Sequence, residues 1–539
     1  MHQKVARRIY PDKVSRNDIS FSAQSIRSTP LKPQRLLPDL FLFQDLCNVF
    51  VIRDGLEAIA IDFGSGRWRK YLPQLGIKNL RHVFLTHHHA DQLIGLSGRR
   101  WPFAIHASAG ERTFLDPAML RTILSKPSGA VCPPSYAPPA KGIPRILFDM
   151  APFGDFFWNR HRFRFVSTPG HSRSALTILA NLGGQQVAFC GDAVFGNGKI
   201  WEPHHLEWHH LYPDGVEAAR NGILRLADLG NDLLCPSHGP ILRTRPEKIL
   251  RRLAKNLAAL IRARGSVCPG EPDRLVPETA AGEGARRLLP HLYRFGVNGY
   301  LLISKSGEAL AVDTQEKEMP VLRSLLARLH IPKVSCAVST HHHLDHADGL
   351  PALRKQGARI VLHPWVAQWL RQTGTSRHPW FEVLIPRRPI LADQLWPTQG
   401  TWRWNEYQFQ IAPFPGQTWW HCAFQTVVDG RKVLFSGDNF QPPSRWSGQG
   451  GFCAWNSSRL VAGYGRSAAL VLRWRPEILA CGHGTSFYFS NRHFRKVVAW
   501  AKKAERALLN LSPHGNLEQD YFLPAKRAWT SILHSPHLK

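Results

Sequence analysis

The sequence predicts an α/β protein built as two tandem layered units, because one order of motifs occurs twice along its 539 residues. Each half has two apolar strands around a turn, a helical stretch and a short strand that ends in a histidine cluster. Mixed strands and helices in this rhythm are typical of sheets covered by helices. Internal repetition at this scale indicates a duplication.

The first segment of each unit has the composition of a β-hairpin. Residues 48–62 (NVFVIRDGLEAIAID) and 298–313 (NGYLLISKSGEALAVD) are aliphatic or β-branched runs interrupted by a turn that contains glycine. A helical stretch follows at 68–75 and at 319–329. The next short strand, 83–86 or 337–340, leads directly into the histidine cluster.

The two histidine clusters carry the chemistry of the chain. Residues 340–349 read THHHLDHADG, and residues 86–93 read THHHADQL. Both place imidazoles two residues apart and a carboxylate two residues further on. The second cluster adds His346, whereas the first has Gln92 at that position. Imidazole and carboxylate groups packed this densely are typical of a zinc-type metal site.

The later motifs recur with nearly constant spacing. Thr168-Pro-Gly-His171 corresponds to Phe414-Pro-Gly-Gln417, and Gly191-Asp192 corresponds to Gly437-Asp438. The separation is 21 residues from 171 to 192 and also from 417 to 438. Pro236-Ser-His-Gly239 and Cys481-Gly-His-Gly484 come next. Each half then enters a basic amphipathic helix, at 244–264 and at about 491–511.

These landmarks predict five segments. We expect a basic N-terminal extension at 1–39, a first domain at 40–265, a linker at 266–287, a second domain at 288–511 and a C-terminal tail at 512–539. Proline and glycine around 268–284 favour the linker assignment.

Composition limits the class of protein without selecting a substrate. The chain is 43% hydrophobic and 20% charged, with a formal net charge of +30. These values are typical of a globular protein, and the charge would attract nucleic acid, anionic lipid or an acidic substrate. No apolar run is long enough for a membrane helix, so we expect no integral membrane segment. Nine scattered cysteines without a CxxC pair favour free thiols and a cytoplasmic location.

The ordered motifs H-x-H-x-D-H, P-G-H, G-D and H-G resemble those of the metallo-β-lactamase fold superfamily. The resemblance covers most of residues 40–265 and 288–511. It implies two tandem αββα sandwiches with metal-binding loops along one edge of the sheets. The superfamily includes thioesterases, lactonases, nucleases, β-lactamases and iron-dependent oxygen enzymes, so the fold does not identify the substrate.

The resemblance also implies the metal ligands of both halves. In the superfamily, the first metal position takes the H-x-H and P-G-H histidines, and the second takes the D-H pair and the late histidine. The G-D aspartate bridges the two positions. The expected ligands are His87, His89, Asp91, His171, Asp192 and His238 in the first half, and His341, His343, Asp345, His346, Asp438 and His483 in the second.

The two halves depart from the family pattern in complementary ways. Gln92 replaces a ligand of the second position in the first half, and Gln417 replaces a ligand of the first position in the second half. A neutral amide oxygen is a weak ligand for zinc or iron. We therefore expect one tightly held ion in each half, zinc with iron and manganese as alternatives. Asp91 and Asp345 are the predicted catalytic carboxylates, placed to orient or deprotonate an attacking water.

A metal-dependent hydrolase is the leading functional prediction. A bound metal ion lowers the pKa of water to about 7, so that the water can attack an ester, thioester or lactone. One alternative is a nuclease or phosphodiesterase, favoured by the positive charge. A second is an iron-dependent thiol or persulfide oxygenase, and a third is that one half is a pseudoenzyme. The expected partner is a small molecule, with nucleic acid as a second candidate; the sequence leaves the oligomeric state open.

Overall fold

The computed structural model describes residues 31–120, 142–206, 208, 214–263, 272–371, 388–418, 420–446, 460–517 and 519–520. Residues 1–30 of the predicted extension, 266–271 of the predicted linker and 521–539 of the predicted tail lie outside the described residues. The five predicted segment boundaries remain predictions.

The first half contains two sheets. The first sheet has seven strands in chain order, antiparallel from β1 to β4 and parallel from β4 to β7. Its strands are β1 (Gln34–Leu37), β2 (Leu40–Gln44), β3 (Asn48–Asp54), β4 (Glu57–Ile61), β5 (Asn79–Phe84), β6 (Ala104–His106) and β7 (Ile146–Leu147). The second sheet has β8 (Asp155–Trp158), β9 (His161–Ser167), β10 (Leu176–Leu182), β11 (Gln185–Gly191) and β12 (Leu233–Pro236).

The second half repeats this plan. Its first sheet has β13 (Thr279–Gly282), β14 (Ala285–Leu289), β15 (Leu292–Phe295), β16 (Gly299–Ile303), β17 (Ala309–Val312), β18 (Val334–Val338), β19 (Arg359–Leu362) and β20 (Gln394–Leu395). Its second sheet has β21 (Gly400–Trp404), β22 (Tyr407–Pro413), β23 (Cys422–Val428), β24 (Arg431–Gly437), β25 (Ile478–Cys481) and β26 (Phe487–Tyr488). The step from antiparallel to parallel pairing, at β4/β5 and β11/β12, recurs at β17/β18 and β24/β25.

Helices cover the outer faces of the sheets. In the first half they are α1 (Ala90–Leu93), α2 (Arg112–Leu115), α3 (Asp214–Ala227) and α4 (Pro246–Ala263). In the second half they are α5 (Met319–Arg328), α6 (Leu344–Ala347), α7 (Leu350–Lys355), α8 (Pro364–Leu370), α9 (Leu460–Trp474) and α10 (Asn491–Leu511). The predicted helix at 68–75 consists of two 3₁₀ turns, Arg67–Tyr71 and Pro73–Leu75, because Pro73 interrupts the backbone hydrogen-bond pattern.

Aromatic and aliphatic side chains fill the space between the two sheets of the first half. Phe50 of β3 and Phe84 of β5 pack against Phe189 of β11 and Phe163 of β9 across the sandwich. The alternation of buried and exposed residues along β9 is the pattern of a strand with one face in the core. The prediction of two tandem αββα sandwiches is confirmed.

The two halves share a hydrophobic core. Helix α4 packs against α10, and one cluster of buried residues joins α3 and α4 with α9 and α10. Trp500 of α10 donates an indole hydrogen bond of 2.6 Å to the carbonyl of Ala263 at the end of α4. Each half therefore buries apolar helix faces against the other. Among the described residues, no helix combines the length and the apolar character needed to cross a lipid bilayer.

Candidate metal centres

The predicted ligands of the first half follow the ends of four strands on one edge of the sandwich. His87 and His89 follow β5, and Asp91 lies in the first turn of α1. His171 lies between β9 and β10, Asp192 follows β11, and His238 follows β12. Residues separated by as many as 150 positions are thereby brought to a single place.

Four of these side chains converge on one point. His89 Nδ1 lies 3.0 Å from His87 Nε2 and 2.9 Å from His171 Nε2. Asp192 Oδ2 lies 3.5 Å from His87 Nε2 and 3.4 Å from His171 Nε2. Ligands held about 2.0–2.1 Å from a tetrahedral zinc ion would be about 3.3 Å apart. The four side chains are buried, so the spacing and chemistry of this donor set fit a single zinc-type ion.

The protonation of these imidazoles is also suited to metal binding. Burial lowers the pKa values of His87 and His89 well below the ordinary value, and the neighbouring histidines lower them further. Both rings are therefore neutral at pH 7, which is the state that binds a metal ion. His87 Nδ1 lies 3.0 Å from the hydroxyl of Thr86, so its Nε2 faces the ligand cluster.

The second position of the first half is held by an internal charge network. His238 Nδ1 lies 2.8 Å from Asp192 Oδ1, and His238 Nε2 lies 3.3 Å from Asp91 Oδ2. Burial alone would lower the pKa of His238, but the carboxylates of Asp192 and Asp91 outweigh burial and raise it to about 10. Burial raises the pKa of Asp91 to about 6, although His238 opposes this change. His238 therefore lies between the two carboxylates and contacts both.

In the second half the ligands gather at the other position. Asp345 Oδ2 lies 2.8 Å from His483 Nε2 and 3.6 Å from His346 Nε2. Asp438 approaches the same two imidazoles, at 3.2 Å from His346 Nε2 and 3.4 Å from His483 Nε2. Among the described residues, Asp345, His346 and His483 form one closely spaced donor set, and His341, His346 and Asp438 form another.

Two further histidines border this second site. His341 Nε2 lies 3.7 Å from Asp438 Oδ2. The ring of His343 is 4.4 Å from that of His341, but His343 belongs to neither closely spaced donor set. His421 stacks on His341 with ring centroids 4.7 Å apart and has no hydrogen-bond partner for either ring nitrogen. Its counterpart in the first half is Ala175, so this imidazole is an addition specific to the second half.

The two glutamines make the same contact in their respective halves. Gln92 Nε2 donates a 3.1 Å hydrogen bond to Asp192 Oδ2, and Gln417 Nε2 donates a 3.0 Å hydrogen bond to Asp438 Oδ2. The carbonyl oxygens of both amides are buried without a hydrogen-bond partner. Each amide therefore supplies a hydrogen bond to the central aspartate where the superfamily pattern has a metal-binding imidazole.

A second aspartate supports each histidine cluster from behind. Asp62 accepts hydrogen bonds from the backbone amide and hydroxyl of Thr86, at 2.9 and 3.0 Å, and Asp313 does the same for Thr340, at 2.7 and 2.8 Å. Asp313 Oδ2 also lies 3.0 Å from His346 Nδ1. Gln92 replaces this histidine in the first half. There, Asp62 Oδ2 accepts a 2.7 Å hydrogen bond from the hydroxyl of Ser237. Both aspartates therefore hold the turn that leads into the histidine cluster.

Other histidines have structural positions. His106 contacts His82 and Asp149 within the first sheet, and His363 caps helix α8 while contacting the carbonyl of Thr398. Both are buried polar residues that belong to none of the closely spaced donor sets. Trp420 packs against Trp369 and His342, whereas Trp419 lies outside the described residues.

His205 and Trp201 are neighbours of the first site that its ligand motifs do not include. The ring of His205 is buried, 4.3 Å from His89 and 4.7 Å from His171, and its Nε2 lies 3.0 Å from Glu202. Trp201 stacks on His238 at 4.5 Å with an interplanar angle of 11°. The signal available was the dense group of histidines between Asp192 and His238, of which His209 and His210 lie outside the described residues.

A family model of the metallo-beta-lactamase superfamily matches residues 42–238 and 294–483, which together exceed half of the chain. The two matched regions end at the late histidines of the two halves. The chain belongs to the metallo-beta-lactamase superfamily. The predicted family and the tandem arrangement are confirmed.

Two curated relatives are hydroxyacylglutathione hydrolases. The one from Albidiferax ferrireducens is 32% identical over 154 residues, 28% of this chain, and the match spans about half (51%) of that relative. The one from Tolumonas auensis is 24% identical over 260 residues, covering 46% of this chain and 86% of the relative. Superfamily membership together with these likenesses indicates a hydrolytic enzyme.

Solved structures of the superfamily are also similar. MIM-2 metallo-beta-lactamase is 19% identical and covers 43% of this chain and 88% of its own, with a TM-score of 0.33. BJP-1 from Bradyrhizobium japonicum is 17% identical, and the match covers 42% of this chain and 92% of BJP-1, with a TM-score of 0.32. The family assignment does not depend on these two structures.

Proposed function

We propose that this protein hydrolyses thioesters of small carboxylic acids, with one zinc ion held in each half and catalysis at the first half. The observation that carries the proposal is the convergence of His87, His89, His171 and Asp192, whose ligand atoms all lie within 4.8 Å of one another. The thioester class is favoured over esters and lactones because the curated relatives are hydroxyacylglutathione hydrolases.

Zinc is the proposed ion because the donors of the first half are three imidazoles and one carboxylate, a mixture that zinc prefers. When bound, the ion would lower the pKa of a coordinated water and polarise the thioester carbonyl. Iron and manganese remain alternatives. In the second half, Asp345, His346, His483 and Asp438 would hold the ion.

Asp91 is the proposed catalytic base. Its side chain is 38% exposed at the mouth of the first site, and Oδ2 lies 3.3 Å from His238 Nε2. A carboxylate in this position can accept a proton from the attacking water while His238 holds its orientation. In the second half, Asp345 has the corresponding place, but it belongs to the donor set of the proposed ion there, 2.8 Å from His483 Nε2. A carboxylate that holds the ion is not free to act as the base, so we assign catalysis first to the first half.

The test is metal analysis and thioester hydrolysis with the full chain. Separate halves are unsuitable because α4 and α10 would expose the apolar faces that they bury against each other. We expect about two tightly held ions in the wild-type protein, one lost in His171→Ala and the other lost in His346→Ala. The His171→Ala variant should also lose thioester hydrolysis by a factor of about a hundred or more, because the remaining ligands cannot hold the ion.

Four tightly held ions in the wild-type chain would refute the single-ion proposal. Full thioesterase activity in His171→Ala combined with loss in His346→Ala would transfer catalysis to the second half. His106→Ala is a matched control, since it removes a buried histidine of the same half that contacts Asp149 and His82 and no member of the donor set.

Nucleic acid, the second candidate partner, remains a prediction from the charge of +30. On helix α4 the charged group of Arg251 is held by Glu247 and Asp228, at 2.7 and 3.1 Å, so part of this helix charge is compensated internally. The iron-dependent oxygenase and the pseudoenzyme half also remain alternatives. The cytoplasmic location remains a proposal; the six cysteines among the described residues are buried free thiols.

A further inference from the structure

The segment that follows the last helix of the chain lies beside the metal centre of the first half. After α10 ends at Leu511, the carbonyl of Leu511 accepts a 3.1 Å hydrogen bond from the backbone of Ile200, and the carbonyl of Ser512 accepts one from the ammonium group of Lys199. Ile200 and Lys199 belong to the loop between Asp192 and His205. Residues 512–517 and 519–520, here called the closing segment, are therefore anchored to the site-forming loop of the other half.

The segment after α4 makes the equivalent contact with the second half. Asp273, ten residues past the end of α4 at Ala263, accepts hydrogen bonds from the backbone and hydroxyl of Ser444 in the second half. Val276 then donates a 2.9 Å hydrogen bond to the carbonyl of Ser486. Ser444 follows Asp438, much as Lys199 follows Asp192. Because the arrangement recurs in both halves, the position of the closing segment is a property of the duplicated fold.

A buried aspartate fixes the shape of the closing segment. The side chain of Asp520 is 1% exposed and accepts hydrogen bonds from the hydroxyl of Ser512 and from the backbone amides of His514 and Asn516. Its other oxygen lies 2.6 Å from His514 Nδ1. The imidazole of His514 is thus held through one nitrogen, and its side chain is 43% exposed.

An aromatic wall connects His514 with the metal centre. The ring of His514 lies 6.2 Å from that of Trp201 and 5.9 Å from that of Phe195. Trp201 in turn stacks on His238, and Phe195 stacks on Trp201 at 5.5 Å. His514 is therefore two ring contacts away from His238, which itself contacts Asp192 of the donor set and Asp91. This position suits contact with the part of a substrate that is remote from the scissile bond.

We infer that the second half completes the substrate site of the first half, and that His514, held by Asp520, binds a carboxylate on the leaving-thiol portion of the substrate. This inference rests on the proposed thioesterase function. A carboxylate is the expected ligand because the imidazolium form of His514, with Nδ1 held by Asp520, presents an N–H donor at Nε2. The ammonium group of Lys199, which donates to the carbonyl of Ser512, adds positive charge in the same segment.

The test compares two thioesters that share one hydroxyacyl group. One is the glutathione thioester, whose thiol portion carries carboxylates, and the other is the N-acetylcysteamine thioester, whose thiol portion carries none. We expect His514→Ala to lower the preference for the glutathione thioester, measured as the ratio of the two kcat/KM values, by about fivefold to tenfold, mainly through KM. His514→Gln retains a hydrogen-bond donor and should recover part of the preference.

His291→Ala is the matched control. His291 is 39% exposed and paired with Asp429 at 2.5 Å. It lies in the turn between β14 and β15, and Asp429 lies in the turn between β23 and β24, at the end of β24 away from the metal centre, so its removal should leave the ratio unchanged. A ratio in His514→Ala equal to that of the wild type overturns the inference. An equal fall in both kcat/KM values also overturns it, because that result would indicate that His514 supports the structure of the site without contacting the thiol portion.

Binding of glutathione itself, measured by calorimetry, separates this inference from the proposed function. A wild-type protein that hydrolyses neither thioester refutes the thioesterase proposal, and the binding measurement then decides on His514. We expect the wild type to bind glutathione about fivefold to tenfold more tightly than His514→Ala does. Equal affinities, or the absence of binding to the wild type, overturn the inference.

Discussion

Replacing Asp313 by asparagine should weaken metal binding in the second half, whereas the same change at Asp62 should have little effect in the first half. Asp313 Oδ2 lies 3.0 Å from His346 Nδ1, and the other ring nitrogen of His346 faces Asp345 and Asp438. A carboxylate behind a metal-binding histidine orients the ring and raises its basicity. Removing such a partner typically costs 10–100-fold in metal affinity.

Asp62 is a control supplied by the duplication. Both aspartates accept hydrogen bonds from the backbone amide and hydroxyl of the threonine that precedes the histidine cluster, so both substitutions perturb the same turn. Asp62 contacts Ser237 where Asp313 contacts His346. The difference between the two variants therefore isolates the contact with the imidazole.

Zinc affinity should be measured by competition with a chelator, with one site present at a time. Asp313→Asn is examined in a His171→Ala background and Asp62→Asn in a His346→Ala background. We expect the affinity to fall about 10–100-fold in the first case and less than about threefold in the second. Equal losses would show that the turn matters and the imidazole contact does not, and no loss in either variant would refute the proposed role of Asp313. Thermal melting of each variant checks that the fold is retained.

Three further predictions follow from individual residues. Gln92→His should raise the number of tightly held ions by about one, measured by metal analysis, because it restores an imidazole at the second position of the first half; an unchanged content would contradict this view of Gln92. Gly482→Ala should reduce metal content in the second half, since a Cβ there would lie 2.1 Å from Asp438 Oδ1 and 2.8 Å from His346; full occupancy would contradict the packing argument. Burial lowers the pKa of His363 to about 4, below the value of about 6.5 expected in the unfolded chain. The folded state therefore keeps this ring neutral. The ring contributes about 3 kcal/mol to the free energy of unfolding above about pH 6.5, and this contribution is lost as the pH falls towards 4. His363→Asn retains a side-chain acceptor at the start of α8, so its free energy of unfolding should depend less steeply on pH in this range; equal slopes for the two proteins would refute the assignment.

Most of the fold was predictable from local patterns. Alternating and continuous apolar runs marked the strands, and the amphipathic stretches at 244–264 and 491–511 correspond to α4 at 246–263 and α10 at 491–511. The 3₁₀ turns at 67–75 differ from the predicted helix because a proline lies within a short segment whose burial depends mainly on Trp68. Short elements of this kind are determined by packing more than by periodicity.

The sequence by itself determined the duplication, the family and the identity of the candidate ligands, because these depend on residue types in a fixed order. Only the tertiary structure decided how the ligands are used. Gln92 donates a hydrogen bond to Asp192, 100 positions away, and Gln417 donates one to Asp438, 21 positions away. The supporting aspartate contacts Ser237 in the first half and His346 in the second half, and these two contacts join loops that are distant in the sequence. The position of His514 beside Trp201 follows from the packing of α4 against α10, which buries a common apolar core and directs the end of one half towards the metal centre of the other.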